Sequence, residues 1–306
     1  MDITNGLTLS SAVKDRNAPL RRFLESRLPN TRAITAEYKA GSGPLLVDSL
    51  GAPAGTIGTA MDLIIRFLLD PNDVPQSARK LFPLSDVYLA VVDELSARAG
   101  AASSTGQLDQ LVRASWGLAL GVEAFRSGNS YPSLVVDLHR RHELTADILL
   151  EQASADAVTE MSALVAIAQT RLIPQLPGPF SLGPEFGPSK REGLADTRLI
   201  AAEADLIANG LLLDIKTALG VKNVAGIRKD TLKPEHLYQL VAYALLDESD
   251  EYKLDRIGLY SARYGGLSVW PLGEALNTMA GDTVELSDLR AEISNMLHRR
   301  QAPAGP

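Results

Sequence analysis

There is no cysteine among the 306 residues of the chain. Disulfide scaffolds, thiolate zinc sites and cysteine-ligated iron–sulfur clusters are therefore excluded. Aromatic residues make up only 5% of the chain, with two tryptophans, and histidine occurs four times. His139 and His142 stand among arginines, but two imidazoles without a third ligand of known position make a poor zinc site. His236 and His298 read as surface residues, and Trp116, Tyr131 and Trp270 as core aromatics. No uninterrupted apolar run approaches the ~20 residues needed to span a bilayer. Gly-Lys never occurs as a pair, which removes the phosphate-cradling loop of P-loop NTPases. The G-x-S-x-G elbow of serine hydrolases is missing too. Met1-Asp2-Ile3-Thr4-Asn5 lacks the basic and apolar regions of a signal peptide, so a cytoplasmic location is expected.

What remains has the composition of a globular protein, 45% apolar and 22% charged. The net charge of −7 argues against a protein that coats nucleic acid non-specifically, because phosphate contacts need clustered Lys and Arg. Local basic surface is still available. Arg21-Arg22, His139-Arg140-Arg141-His142, Lys190-Arg191, Arg228-Lys229 and Arg299-Arg300 are clusters, each more simply read as a solvated face. Lys222, Arg228, Lys229 and Lys233 are the better candidates, because they lie on the loop beside the chemistry-bearing residues described below.

The chain divides near residue 180. Residues 1–180 read as a mostly helical region, with one early strand at Arg32–Lys39. Helices are expected over 58–69, from Leu84 to Arg98, from Gln107 to Arg126, and from about His142 to Leu172 as one helix or two in succession. Residues 101–106, Ala-Ala-Ser-Ser-Thr-Gly, read as a flexible connector. Residues 173–189 carry five prolines and three glycines and read as an extended linker or surface arm. Residues 181–306 then give strand (Thr197–Ala208), turn, strand (Leu211–Thr217), helix (Pro234–Leu246), and two strands, Arg256–Arg263 and Leu267–Pro271. A helix from Thr283 to Arg300 and a disordered Pro/Gly tail finish the chain.

Asn209-Gly210 between apolar runs is the strongest short-range signal for a two-residue hairpin. It pairs Ala208 with Leu211, sets Asp205 opposite Asp214 and Glu203 opposite Lys216, and projects all four from one face. Ala204, Leu206, Leu211, Leu213 and Ile215 take the other, core-facing side. Opposed carboxylates repel, and a divalent cation between them is the simplest way to make the arrangement favourable. Lys216 points to the edge of the same site. The plainer alternative is a surface hairpin with a Glu203–Lys216 cross-strand ion pair.

Asp205 … Asp214-Ile215-Lys216, followed by Gln239-x-x-x-Tyr243, resembles the PD-(D/E)XK nuclease superfamily, in particular its RecB-like exonuclease branch. The resemblance covers roughly residues 195 to 272, and the first aspartate follows Ala204 where the family usually has proline. It implies an α/β (α+β) restriction-endonuclease-like core, a mixed sheet flanked by helices, with the N-terminal helices as an elaboration. It further implies a Mg2+- or Mn2+-dependent nuclease, acting on DNA more than RNA, in repair or defence. Asp205 and Asp214 would be metal ligands, and Lys216 would orient the attacking water and offset charge on the phosphate. Glu203 would support Lys216, while Gln239 and Tyr243 would touch substrate. The family's upstream ligand would be Glu123, or else Asp62, which follows Gly58 where related chains carry G-x-x-x-H. Two other readings stay open. One is a non-catalytic module of the same fold that binds nucleic acid or a protein partner. The other is a helical interaction protein in which D-x-K is coincidental.

Overall fold

Asn209 and Gly210 both adopt positive φ, 46° and 80°, as a two-residue hairpin turn matched to strand twist requires. In the computed structural model, which describes residues 8–128, 133–186 and 202–299, this turn joins β4 (Leu206–Ala208) to β5 (Leu211–Lys216). Ala208 pairs with Leu211 and Leu206 with Leu213, in the register the turn predicts. The ladder stops there, because the chain bends at Asp205. Ala202–Glu203 forms a separate short strand, β3, paired with β2 (Glu185–Phe186). Asp205 and Asp214 are therefore not a regular cross-strand pair, and Glu203 lies opposite Glu185 rather than Lys216.

The main sheet has five strands in the order β1-β4-β5-β8-β9. β1 (Phe180–Leu182) is one edge and β9 (Gly266–Pro271) the other; β8 is Arg256–Ser261. β5 and β8 run parallel, and the remaining neighbours are antiparallel. The architecture is thus mixed α/β, a multi-strand sheet flanked by helices. Part of the proline-rich stretch supplies edge strand β1, where the missing donors of proline are tolerated, so it is not only a linker.

Both faces of the sheet are buried, which explains the unbroken Leu211-Leu212-Leu213 run. Leu206, Ala208, Leu211, Leu213 and Ile215 pack against α4 (Ala54–Leu69), α6 (Asp86–Thr105), α7 (Leu108–Ser127) and α10 (Ala155–Arg171). Ala204, Ile207, Leu212, Ile257 and Leu259 face α11 (Pro234–Leu246) and α12 (Leu272–Ala280). Ala204 thus sits on the face opposite Leu206, since the bend breaks the alternation. The opening helices α1 (Leu9–Lys14), α2 (Pro19–Arg27) and α3 (Arg32–Gly41) join the second layer, together with α13 (Leu286–Arg299). Tyr238 of α11 shows the fit: its hydroxyl donates to Leu28 O at 3.1 Å, and the Arg21 guanidinium lies 4.7 Å from its ring centre.

Several local expectations change. Arg32–Lys39 is helical, with Ile34 and Tyr38 four apart on its buried face. Residues 101–105 extend α6, which ends at Gly106 in the left-handed conformation. The pattern from 142 to 172 divides into α9 (Ala146–Leu150) and α10, capped by the hydroxyls of Thr145 and Ser154. Short α5 (Gln76–Arg79) and α8 (Leu134–Arg140) complete the first layer. Trp116 and Trp270 are buried. Tyr131, Lys190-Arg191, residues 197–201, Arg300 and the tail lie outside the described residues, as does the His298 side chain. No helix among the described residues is long and apolar enough to cross a membrane.

One buried ion pair ties the layers together. Arg263, just beyond β8, meets Glu160 of α10, with both side chains almost fully enclosed. Arg263 also donates to Thr217 O, Val47 O and Asp48 O, while Glu160 Oε2 accepts from Leu50 N at 2.7 Å.

Candidate functional site

Where β5 ends, the two layers part to leave a cleft of about 700 Å³. Asp205, Asp214, Lys216, Gln239 and Tyr243 all line it, with Glu203, Asp62 and His236. The residues singled out in the hairpin and on α11 are therefore brought together.

Each is held by a specific contact. The bend at Asp205 turns its carboxylate back along the hairpin, so that Oδ2 accepts the backbone N–H of Ile215 at 2.7 Å. Asp214 is 3% exposed. The Lys216 ammonium lies between its oxygens, 2.9 Å from Oδ1 with hydrogen-bond geometry and 2.7 Å from Oδ2 without it. Burial pushes the Asp214 carboxyl up to about 6, and Asp205 adds to the rise while Lys216 opposes it. Burial works to discharge Lys216, but Asp214 and Asp205 outweigh it and raise its pKa.

On α11, one turn separates Gln239 from Tyr243. Gln239 Nε2 donates to the Tyr243 hydroxyl at 3.1 Å, and its Oε1 accepts from Lys216 Nζ at 3.4 Å. The Tyr243 hydroxyl donates to Glu203 O at 2.7 Å, and its ring packs on Phe186. Tyr243 is therefore buried in an apolar layer while its hydroxyl reaches the cleft. Burial, with Asp205 and Asp214 nearby, raises its pKa, so it remains a phenol.

Asp62 enters from α4. Arg66, one turn on, binds it at 2.9 Å and reaches Glu203 at 3.2 Å. Burial lifts the Asp62 carboxyl to about 7, with Arg66 opposing and Asp205 and Glu203 adding to the rise. Glu203 is thus committed to Arg66, and at 3.8 Å to Lys80. It supports neither a pair with Lys216 nor its orientation. His236 is half-buried in the cleft wall, not a surface residue. Burial and the Lys216 charge lower its imidazole to about 4.

Glu123 does not line the cleft. Its Oε2 accepts from the Thr56 hydroxyl at 2.8 Å, and its Oε1 would meet a Cβ placed on Gly55. It secures the first turn of α4, a favourable place for an anion. The other acids share the cleft without forming one ligand set. Asp62 is taken by Arg66, Asp205 by a backbone amide and Asp214 by an ammonium, each on its own partner. Among the described residues no group of three or more His, Asp or Glu side chains is placed to hold a metal ion. The expected Mg2+ or Mn2+ site is therefore overturned. With it go the metal-dependent nuclease activity and the roles of Asp205, Asp214 and Glu123 as ligands. A lysine two residues from a buried aspartate on one strand face meets its requirement for positive charge internally.

Arg66 is the residue that the sequence reading missed. Its spacing from Asp62 is a visible i, i+4 signal, but its link to Glu203 joins positions 137 apart. The chain matches no family model and no curated protein.

Proposed function

We propose that the chain is a binding module with a PD-(D/E)XK-like core that grips nucleic acid, DNA in preference to RNA, without metal-dependent cutting. The convergence of Asp205, Asp214, Lys216, Gln239 and Tyr243 in one cleft supports the resemblance, and the resemblance favours DNA. The observation that carries the non-cutting reading is the Asp214–Lys216 pair, which fills with an ammonium the place a cation would take. The binding reading is supported by charge at the mouth of the cleft. Lys14 and Arg126 line it and are exposed. The chain leaves the cleft wall at Ala218 and returns at His236, so the loop between them, with Lys222, Lys229 and Lys233, borders the same opening. Phosphates held there stay clear of the carboxylates at the base.

Anisotropy of labelled single- and double-stranded DNA and RNA, in EDTA and across a salt series, tests this. Binding should weaken log-linearly with salt. The triple variant Lys222→Ala/Lys229→Ala/Lys233→Ala should lower the slope by roughly 2–3. Absence of binding at low salt would overturn the proposal.

A further inference from the structure

Between Ala218 and His236 the chain forms a second hairpin, β6 (Val221–Lys222) and β7 (Arg228–Lys229). Its foot is fastened at several points. Tyr264 donates to Leu219 O at 2.8 Å, Tyr38 donates to Asp230 at 2.5 Å, and Arg228 lies 3.7 Å from Asp48. Its tip is also internally ordered. Asn223 Oδ1 accepts the amides of both Ala225 and Ile227 at 2.9 Å, and Gly226 supplies the left-handed residue that closes the turn. This well-braced tip carries aliphatic side chains into solvent: Val221 is 56% exposed, Ile227 61%, and Val224 wholly.

Exposing three branched aliphatic residues on a structured tip is costly unless something covers them. Charge indicates what does. Residues 221–233 carry four cations, Lys222, Arg228, Lys229 and Lys233, against the single carboxylate of Asp230, in a chain whose net charge is −7. Asp230 is buried and bonded to Tyr38, and Arg228 faces Asp48, so Lys222, Lys229 and Lys233 leave the outward charge of the hairpin positive. Apolar wedges flanked by cations suit nucleic acid, where aliphatic side chains lie against unstacked bases and ammonium groups contact phosphates.

We infer that the β6–β7 hairpin is a wedge that seats Val224 and Ile227 against the exposed base step at a duplex end or fork. This rests on the nucleic-acid reading above and adds the substrate form. A forked duplex would meet the tip at its junction while its arms pass the cations beside the cleft.

The test compares wild type with Val224→Ser/Ile227→Ser on a labelled forked duplex, a blunt duplex and a single strand of the same sequence. 2-Aminopurine placed at the fork reports unstacking. Both positions are exposed, so the variant should melt as wild type does. Wild type should prefer the fork over the blunt duplex by about tenfold and brighten the 2-aminopurine. The variant should lose both effects while its single-strand affinity changes less than about twofold. Equal affinity for fork and blunt duplex, or a preference that survives in the variant, overturns the wedge and leaves the nucleic-acid reading standing. If wild type binds none of the three probes at low salt, both fall. If vesicles of phosphatidylserine and phosphatidylcholine bind in a Val224-dependent way while the fork does not, the tip faces lipid and the wedge is overturned.

Discussion

Lys216 and Asp214 project from the same face of β5, two residues apart, with the ammonium within 2.9 Å of both carboxylate oxygens. Asp214 is buried on every other side, so this pair decides whether its charge is tolerable. Lys216→Met should destabilise the fold by about 2–4 kcal/mol at pH 8, because it strands a buried anion. The loss should shrink toward pH 5 as Asp214 protonates. Lys216→Met/Asp214→Asn should recover much of the stability. Urea unfolding at both pH values measures this, and a loss equal at pH 5 and pH 8 would remove Asp214 from the explanation.

Divalent cations should leave stability unchanged. A ligand that binds only the native state stabilises it by an amount that grows with the logarithm of its concentration over Kd, so millimolar Mg2+ or Mn2+ without a site is expected to shift Tm by less than ~2 °C. An upward shift of several degrees that disappears in Asp205→Asn/Asp214→Asn would put a cation back in the cleft.

Acid titration should show two opposed contributions. Asp214 titrates near 6 in the fold against 3.8 for the free group. Between those values the folded state holds a proton that the unfolded chain has released, so this contribution to stability falls as pH rises. His236 titrates near 4 against 6.5; there the unfolded chain holds the extra proton, so its contribution rises with pH across 4 to 6.5. Asp214→Asn should therefore steepen the net gain in stability from pH 4 to 6.5, and His236→Asn should flatten or invert it. Each change amounts to about 2–3 kcal/mol over the window. Parallel stability–pH curves for the wild type and both variants would contradict this account.

The turn is sensitive to shape. Asn209 at φ 46° tolerates the left-handed region through its short polar side chain, whereas a β-branched residue does not. Asn209→Val should cost about 1–3 kcal/mol, read as a lower urea midpoint with an unchanged m-value. Unaltered stability would mean that the turn does not set the register of β4 and β5.

The hairpin and α11 were legible because their signals are local. Asn-Gly dictates a turn, the turn dictates the register, and Gln239 and Tyr243 share a helix face by spacing alone. The bend at Asp205 was not legible, since it falls where Gly183 and Pro184 run alongside the strand, with Gly183 N bonded to Asp205 O and Ala204 N to Pro184 O. Arg32–Lys39 misled because Ile34, Thr35 and Tyr38 favour strands in isolation, while its neighbours, α12 and Trp270 of β9, reward a helix. The metal expectation failed for a related reason. Facing carboxylates predict a cation, but whether that cation is an ion or a side chain depends on where Lys216 and Arg66 point, and that is tertiary information. The order of strands in the sheet was equally hidden, because parallel pairing of β5 with β8 joins segments 45 residues apart.

The placement of α1–α3 has a practical consequence. They cover α11 and α12 from the opening forty residues, while Glu160 in the middle of the chain grips Arg263 near its end. Residues 181–306 made alone would bare Leu237, Tyr238 and Leu240 and strand the Arg263 guanidinium. Such a fragment should be insoluble, and the separately made N-terminal piece should restore it on mixing.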